Sequence, residues 1–437
     1  MIYFVTGITG TVVPLIVEDL MKKDKDPVFY FAIRKDTKGN GIQARFDSVI
    51  KGLDLDESTK RKLVENSKLV EIDIEKENLG IDPEIYSELI ENTEKILHGA
   101  ADVRFDQPYE KIRIPNFVFS KKIYALFGEI KQYRTTHGKK EATLYYISTG
   151  YAYGKYKKPI PEDFPEFKPG KPDNTYAQTK AEAKVFILDK INRLDDRIVL
   201  FEPTIIGGAA KTGKTRTYNL HYVVFMLAYL GKLPFFTVND VITEDIVPVD
   251  WVAAVISDIM AKDEYHQGVM RLASGSEAVP IKFMYEAGYD YYFKHDPIPG
   301  HQITKARIVP KWFLLFLIQF QKSLYRTMYF LTRNKRFRKL AKGISLMESY
   351  LPYIAGYKVF ENTKSNKLIE KYTDCGTAPP MQDIYNEKGE LVKKGYYNKI
   401  MKDTLETGWG GMVDFERLAQ KTTPYKAPQA AYSTSRK

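Results

Sequence analysis

The stretch NTYAQTK pairs Tyr176 with Lys180, a proton-bearing phenol and a cation four residues apart, and on a helix such positions share a face. The spacing decides little by itself, because Tyr151/Lys155 and Tyr153/Lys157 repeat it in a chain with 31 tyrosines. Setting separates the first pair. Asp173 or Asn174 can cap a helix there and AQTKAEAKVFILDKI can continue it, whereas Gly154 interrupts the other two pairs. A surface tyrosine beside a solvated lysine is the plain alternative.

Two glycine-containing stretches could hold phosphate. TGITGTVVPL follows the first strand-like run and leads into a helical pattern, so Gly7 and Gly10 would let the backbone turn tightly against a pyrophosphate facing the helix N-terminus. Thr9 and Thr11 belong to the same turn. Val13 stands where a third glycine, used for close helix–strand packing, is usual. The second strand ends at Arg34 with no carboxylate for a ribose diol, which suits a 2'-phosphate, with Arg45 on the next helix able to join it; either could be a plain surface arginine. GAAKTGKT, residues 208–215, satisfies G-x-x-x-x-G-K-[ST]. No apolar strand ending in a magnesium-binding Asp accompanies it, and Asp250 reads as the N-cap of WVAAVISDIM. The expectation is therefore a flexible basic loop near a substrate mouth. No metal-ligating cluster is read.

The elements that must position these residues alternate over roughly the first 260 positions: IYFVTG, a helix from about Pro14, VFYFAIR, a helix from about Gly41, LVEIDI, KILHGAA, a long helix through Ile123, TLYYIST, the Tyr176 helix and RIVLFEPTII. This order predicts an α/β fold, a doubly wound parallel sheet covered by helices. Past about residue 275 it gives way to helical, aromatic and basic sequence. The expected division is 1–275 for a nucleotide-binding domain, 276–420 for a smaller, mainly helical substrate region, and 421–437 for a disordered tail. The 437 residues are 44% hydrophobic with one cysteine, Cys375, so no intrachain disulfide forms and a reducing, cytoplasmic compartment is expected. MIYFVTG lacks the basic start of a signal peptide. A net charge of +11 suits nucleic acid, acidic lipid or a phosphorylated ligand; no nucleic-acid partner is expected.

TGxxG, Asp73-Ile74, HGAADVRFD (98–106), ISTGYAYG (147–154), NTYAQTK and FEPTIIG (201–207) occur in one order that resembles the extended short-chain dehydrogenase/reductases. HGAADVRFD, NTYAQTK and IVPVDWVAAVI look like the male-sterility group, which includes fatty acyl-CoA reductases and thioester reductase domains. The resemblance spans about residues 2–275 and continues faintly through YIAGYKVFENTKSNKLIEKY. It implies a Rossmann-like fold and a reductase of a fatty acyl thioester, on CoA or an acyl-carrier protein, using NADPH. Tyr176 would then donate a proton to the substrate carbonyl, Lys180 would hold the nicotinamide ribose and lower the phenol pKa, and Thr149 would bond the same oxygen. Asn116 matches a position that supports a proton relay, although an amide bonded to helix backbone is an equal reading. Asp73, Ile74, Ala100, Ala101, Pro203 and Ile205 would line the cofactor. Glu202 departs from the family, which commonly has arginine there.

Two other classes compete: an extended reductase or epimerase of a sugar nucleotide or sterol-like alcohol, and a non-catalytic NADP sensor. The second is disfavoured because Thr149, Tyr176 and Lys180 are all present. A homodimer is allowed. Residues 312–331 form an amphipathic pattern, with Phe313, Leu317, Phe320, Leu324, Met328 and Leu331 on one face and Gln319, Lys322 and Arg326 on another. The basic RNKRFRK follows at 333–339, so residues 312–339 are expected to touch a membrane surface or to roof an acyl tunnel.

Overall fold

Strands β1 (Ile2–Thr6), β2 (Val28–Ile33), β3 (Ser67–Glu71), β4 (Lys95–His98), β5 (Thr143–Ile147), β6 (Ile198–Pro203) and β7 (Gly268–Leu272) form one parallel sheet. The sheet belongs to a computed structural model that describes residues 1–35, 41–156, 159–162, 167–194, 196–238, 243–298, 300–354, 358–415 and 418. The expected tail at 421–437 and Lys157 lie outside those residues. Spatial order runs β3-β2-β1-β4-β5-β6-β7, so the winding reverses between β1 and β4. That reversal opens a crevice at the carboxyl ends of those two strands, where doubly wound sheets take ligands. β6 is buried at every position and β2 at all but its first, as strands covered on both faces must be.

One core packs the helices Phe119–Thr136 and Thr175–Leu194 on the sheet, through residues such as Ile123, Phe127, Ile187 and Leu200. The other packs Val13–Lys23 and Val249–Lys262, through Val17, Leu20, Val252 and Ile256. β7 escapes the sequence reading because GVMRL is short and carries an arginine. Arg271 is fully buried there, donating to the Ile160 and Glu361 carbonyls at 2.9 Å each.

The expected boundary near 275 is crossed in both directions. Residues after β6 leave the sheet: Ile205–Gly207 pairs with Ile246–Pro248, and the helix His221–Tyr229 packs against Ile281–His295 and Tyr397–Gly411. Residues after 358 return to it. Phe360 bridges to Ile160, Ser365 accepts a hydrogen bond from the Arg271 amide at 2.8 Å, and Ile369 is buried in the core beneath Val249–Lys262. Between these passages a helical hairpin, Lys311–Thr332 and Lys335–Ile354, turns at Arg333, whose φ is +53°.

Candidate active site

The turn after β1 is held open by a close approach. Gly7 has φ +92°, and a Cβ there would lie 2.7 Å from the Ala100 amide nitrogen and the Gly99 carbonyl carbon. Only glycine fits that position. Gly10 donates to the Gly7 carbonyl at 2.8 Å, and no side chain caps the following helix, so its N-terminus faces the crevice without a capping group, although Pro14 has no N–H and Leu15 donates to the Val12 carbonyl at 3.0 Å. The missing third glycine is compensated across the crevice. A Cβ on Gly99 would overlap the Val13 methyl, so the small residue sits at the end of β4 and the large one on the helix.

Gly7, Thr9, Gly10, Arg34, Arg45, Ile74 and Ala100, with Ala101, line one cavity of about 220 Å³ at the crevice. Arg45 spans its mouth, donating to the Thr9 hydroxyl at 3.1 Å and to the Arg34 carbonyl. Glycine backbone, an uncapped helix start and two arginines fit a phosphorylated dinucleotide. Asp73 points elsewhere: its carboxylate accepts from the Glu75 amide at 3.1 Å, closing its own turn. Thr11 bonds Thr217 at 2.8 Å, and Ile205 belongs to the short strand pair beyond β6.

Asn174 caps the Tyr176 helix, accepting from the Ala177 amide at 2.8 Å, while Asp173 pairs with Lys358. The Tyr176 phenol lies beside Thr149 at the end of β5. Burial and the neighbouring Tyr146 push its pKa up, against a hydrogen bond with Thr149. Thr149 also donates to the Pro203 carbonyl at 3.3 Å, which ties Pro203 to the site. Lys180 is buried, donates to the Ile147 carbonyl at 3.1 Å and stands 5.2 Å from the centre of the Tyr146 ring; burial lowers its pKa to about 8. Burial is the largest influence on the phenol and Lys180 is not among the groups that shift it, so Tyr176 stays protonated at neutral pH.

Asn116 sits in a π-helical stretch, Ile114–Val118. Its amide accepts from the Asp102 amide at 2.7 Å and donates to the Asp102 carbonyl at 3.0 Å and Thr179 Oγ1 at 3.1 Å. Its side chain thus fixes the loop after β4 and reaches neither Tyr176 nor Lys180. Glu202 proves structural: it pairs with Lys184 and, at 3.4 Å, with Arg271, whose position directly opposite on β7 supplies the cation that residue 202 lacks.

Several site residues lie beyond sequence reasoning. Phe105 contacts the Tyr176 ring at 5.5 Å and stacks on Tyr353 at 4.8 Å, and the Tyr353 hydroxyl accepts from Asn174 at 3.1 Å. Tyr353 comes from the end of the hairpin, 177 positions away. Glu244 and His221, both buried, line a small apolar cavity of about 30 Å³ with Phe225, Met284 and Tyr292, and neither has a hydrogen-bond partner among the described residues. Burial raises the Glu244 pKa to about 8 and lowers that of His221 to about 3, so both are neutral near pH 7.

GAAKTGKT is occupied by the protein itself. Ala210 and Lys211 donate their amides to Asp250 at 2.8 and 3.1 Å. Gly213, at φ +80°, packs so tightly on the Lys399 backbone that a Cβ would overlap it. Asp250 is not an N-cap, as the sequence suggested. The helix begins at Val249 with Pro248 before it, and Asp250 in its first turn ties down the loop.

Sheet order and the glycine turn at the β1/β4 crevice define an NAD(P)-binding fold of the kind found in the extended short-chain dehydrogenase/reductases. The male sterility protein family matches residues 5–256, more than half of the chain, and the chain belongs to it. Among curated relatives, L-2-aminoadipate reductase of Saccharomyces cerevisiae is 26% identical over 58% of this chain and 18% of its own length. Fatty acyl-CoA reductase 1 of Pongo abelii is 24% identical over 61% of this chain and 55% of its own. The chain thus spans little more than half of the latter and a small part of the former. Among solved structures, the terminal R domain of the myxalamid PKS-NRPS pathway superposes with TM-score 0.64 at 19% identity, covering 93% of this chain and 91% of that one. The reductase domain of a nonribosomal peptide synthetase from Mycobacterium tuberculosis gives 0.60 at 14%, covering 94% and 92%. Both share the fold across the C-terminal region as well as the sheet.

Proposed function

We propose that the chain is an NADPH-dependent reductase of a fatty acyl thioester, carried on CoA or an acyl-carrier protein. The observation that carries the reading is the Tyr176 phenol hydrogen-bonded to Thr149 at the carboxyl end of β5, with Lys180 one turn further along the same helix, two strands from the glycine turn after β1. Arg34 and Arg45, which line the cavity, would hold the 2'-phosphate, and the nicotinamide when bound would supply hydride. As hydride adds to the thioester carbonyl carbon, the C=O electron pair moves to oxygen, where the Tyr176 and Thr149 hydroxyls stabilise it. Collapse of this tetrahedral species expels thiolate and leaves an aldehyde. After NADP+ is exchanged for a second NADPH, a second hydride with a proton from Tyr176 would give the alcohol. Asn116 keeps the loop after β4 in place, and the aromatic wall of Phe105, Tyr353 and Tyr350, whose ring lies 5.7 Å from that of Phe105, favours an apolar acyl group over a sugar nucleotide.

Lys180 serves as a cation, so kcat/KM should fall as pH rises through about 8, where its ammonium loses the proton. The reading is tested by following NADPH oxidation with acyl-CoA, acyl-carrier and aldehyde substrates. Oxidation with free-thiol release is the expected result. Activity with a sugar nucleotide or a sterol-like alcohol, and none with any thioester, would overturn it.

A further inference from the structure

No residue of the 22 in the helix Lys311–Thr332 is fully buried; of the apolar face read from sequence, Phe313, Leu317 and Met328 are half-buried and Phe320, Leu324 and Leu331 are exposed. On the other face, Lys322 and Gln319 bond Glu348 on the second helix of the hairpin. Trp312, Phe316, Phe320, Leu324, Phe330 and Leu331 are exposed, Trp312 at 70% and Leu331 at 69%. These six fall within about a third of a turn of one another on a helical projection, and only uncharged side chains share that sector. An apolar stripe running most of a helix about 33 Å long, turned away from its own protein, far exceeds the scattered surface hydrophobics of a soluble domain.

Charge says what covers it. Residues 297–347 hold eleven lysines and arginines and no aspartate or glutamate, equal to the whole +11 excess of the chain. Most of these cations are exposed. Arg333, Lys335, Arg336, Arg338 and Lys339 gather at the hairpin turn, with Arg307 and Lys311 at the other end of the stripe. An aromatic apolar strip bounded at both ends by cations complements a bilayer surface with anionic headgroups: rings enter the acyl boundary and cations stay among phosphates. None of the described helices is long and apolar enough to cross a membrane, which leaves an orientation in the plane of the interface.

We propose that Lys311–Thr332 docks the protein peripherally on an anionic lipid surface, with its apolar stripe in the interface and the cations at the hairpin turn against the headgroups. The second helix of the hairpin carries Tyr353 to the Phe105–Tyr176 cluster, so one rigid element links the docking face to the catalytic phenol. The proposal does not depend on the reductase reading, because lipid binding is measured without turnover.

The test is co-sedimentation of the full chain with vesicles of phosphatidylcholine alone or mixed with phosphatidylserine, at low and high salt. Binding is expected to the mixed vesicles and to weaken with salt, with a blue shift of Trp312 emission that is lost in Trp312→Phe. Changing Lys335, Arg336, Arg338 and Lys339 to glutamine should weaken binding by about fivefold per cation. Phe316→Ser with Phe320→Ser should weaken it at both salt concentrations. Unchanged NADPH affinity in these variants shows that they fold. Absence of wild-type binding to mixed vesicles at low salt would overturn the proposal. So would a wild-type dimer that the Phe316→Ser/Phe320→Ser variant dissociates without any change in vesicle binding, because the stripe would then be an interface between copies of the chain.

Discussion

Two stretches of this chain carry a phosphate-binding signature, and the structure uses them in opposite ways. At 7–11 the Gly7 backbone packs on that of Gly99 and Ala100 at the wall of an open cavity, which Arg34 and Arg45 also line and where no side chain caps the Val13–Lys23 helix. At 208–215 the glycines bring backbone against backbone, and Asp250 already accepts from two of the amides. A glycine spacing says that the chain turns closely; what the turn approaches decides whether a ligand can enter.

The sharpest way to break this comparison is to give each turn a side chain. Gly7→Val should lower stability by about 1–3 kcal/mol through strain at positive φ and weaken NADPH binding by at least about tenfold, because the Gly99–Ala100 backbone must move. Gly213→Val carries the same backbone strain yet should leave NADPH affinity within twofold of wild type. Equilibrium titration with NADPH alongside urea denaturation separates the two effects, and parallel loss of affinity in both variants would erase the distinction.

A smaller effect is expected at Asp250. Asp250→Ala leaves the Ala210 and Lys211 amides without their acceptor, at about 1–3 kcal/mol of stability if water does not replace it. Lys214→Ala should change neither stability nor cofactor affinity. Magnesium-dependent ATP hydrolysis that disappears in Lys214→Ala would reverse the assignment of the two turns. Smaller again is the expected effect at the mouth of the first turn. Arg34→Ala should narrow the preference for NADPH over NADH by about tenfold, the scale of one charge-assisted phosphate contact, mainly by weakening NADPH. Equal wild-type affinities for the two dinucleotides would remove the 2'-phosphate reading.

What could be read from sequence was what neighbours along the chain determine. β1 through β6, the first turn and the capped Tyr176 helix each announce themselves through local period, glycine and cap. The remainder depends on partners distant in sequence. Arg271 looks like a surface residue until β7 lies beside β6 and sets it against Glu202. Val13 looks like a defect until Gly99 faces it. Tyr353 belongs to the site only because a hairpin closes over Phe105. The stripe on Lys311–Thr332 was legible as amphipathic, but the bonds from Gln319 and Lys322 to Glu348 on the opposing helix were not. Asn116 was legible as important to the site, and its side chain holds the loop after β4.

The account rests most heavily on the phenol at Tyr176, and Tyr176→Phe removes that one hydroxyl while leaving the ring among Phe105 and Tyr353. Turnover of the preferred acyl thioester, measured on a variant whose NADPH affinity matches wild type, should fall by at least ~100-fold, the lower end of what general acid catalysis supplies. Turnover within threefold of wild type would contradict the assignment of this residue and, with it, the reading of the site.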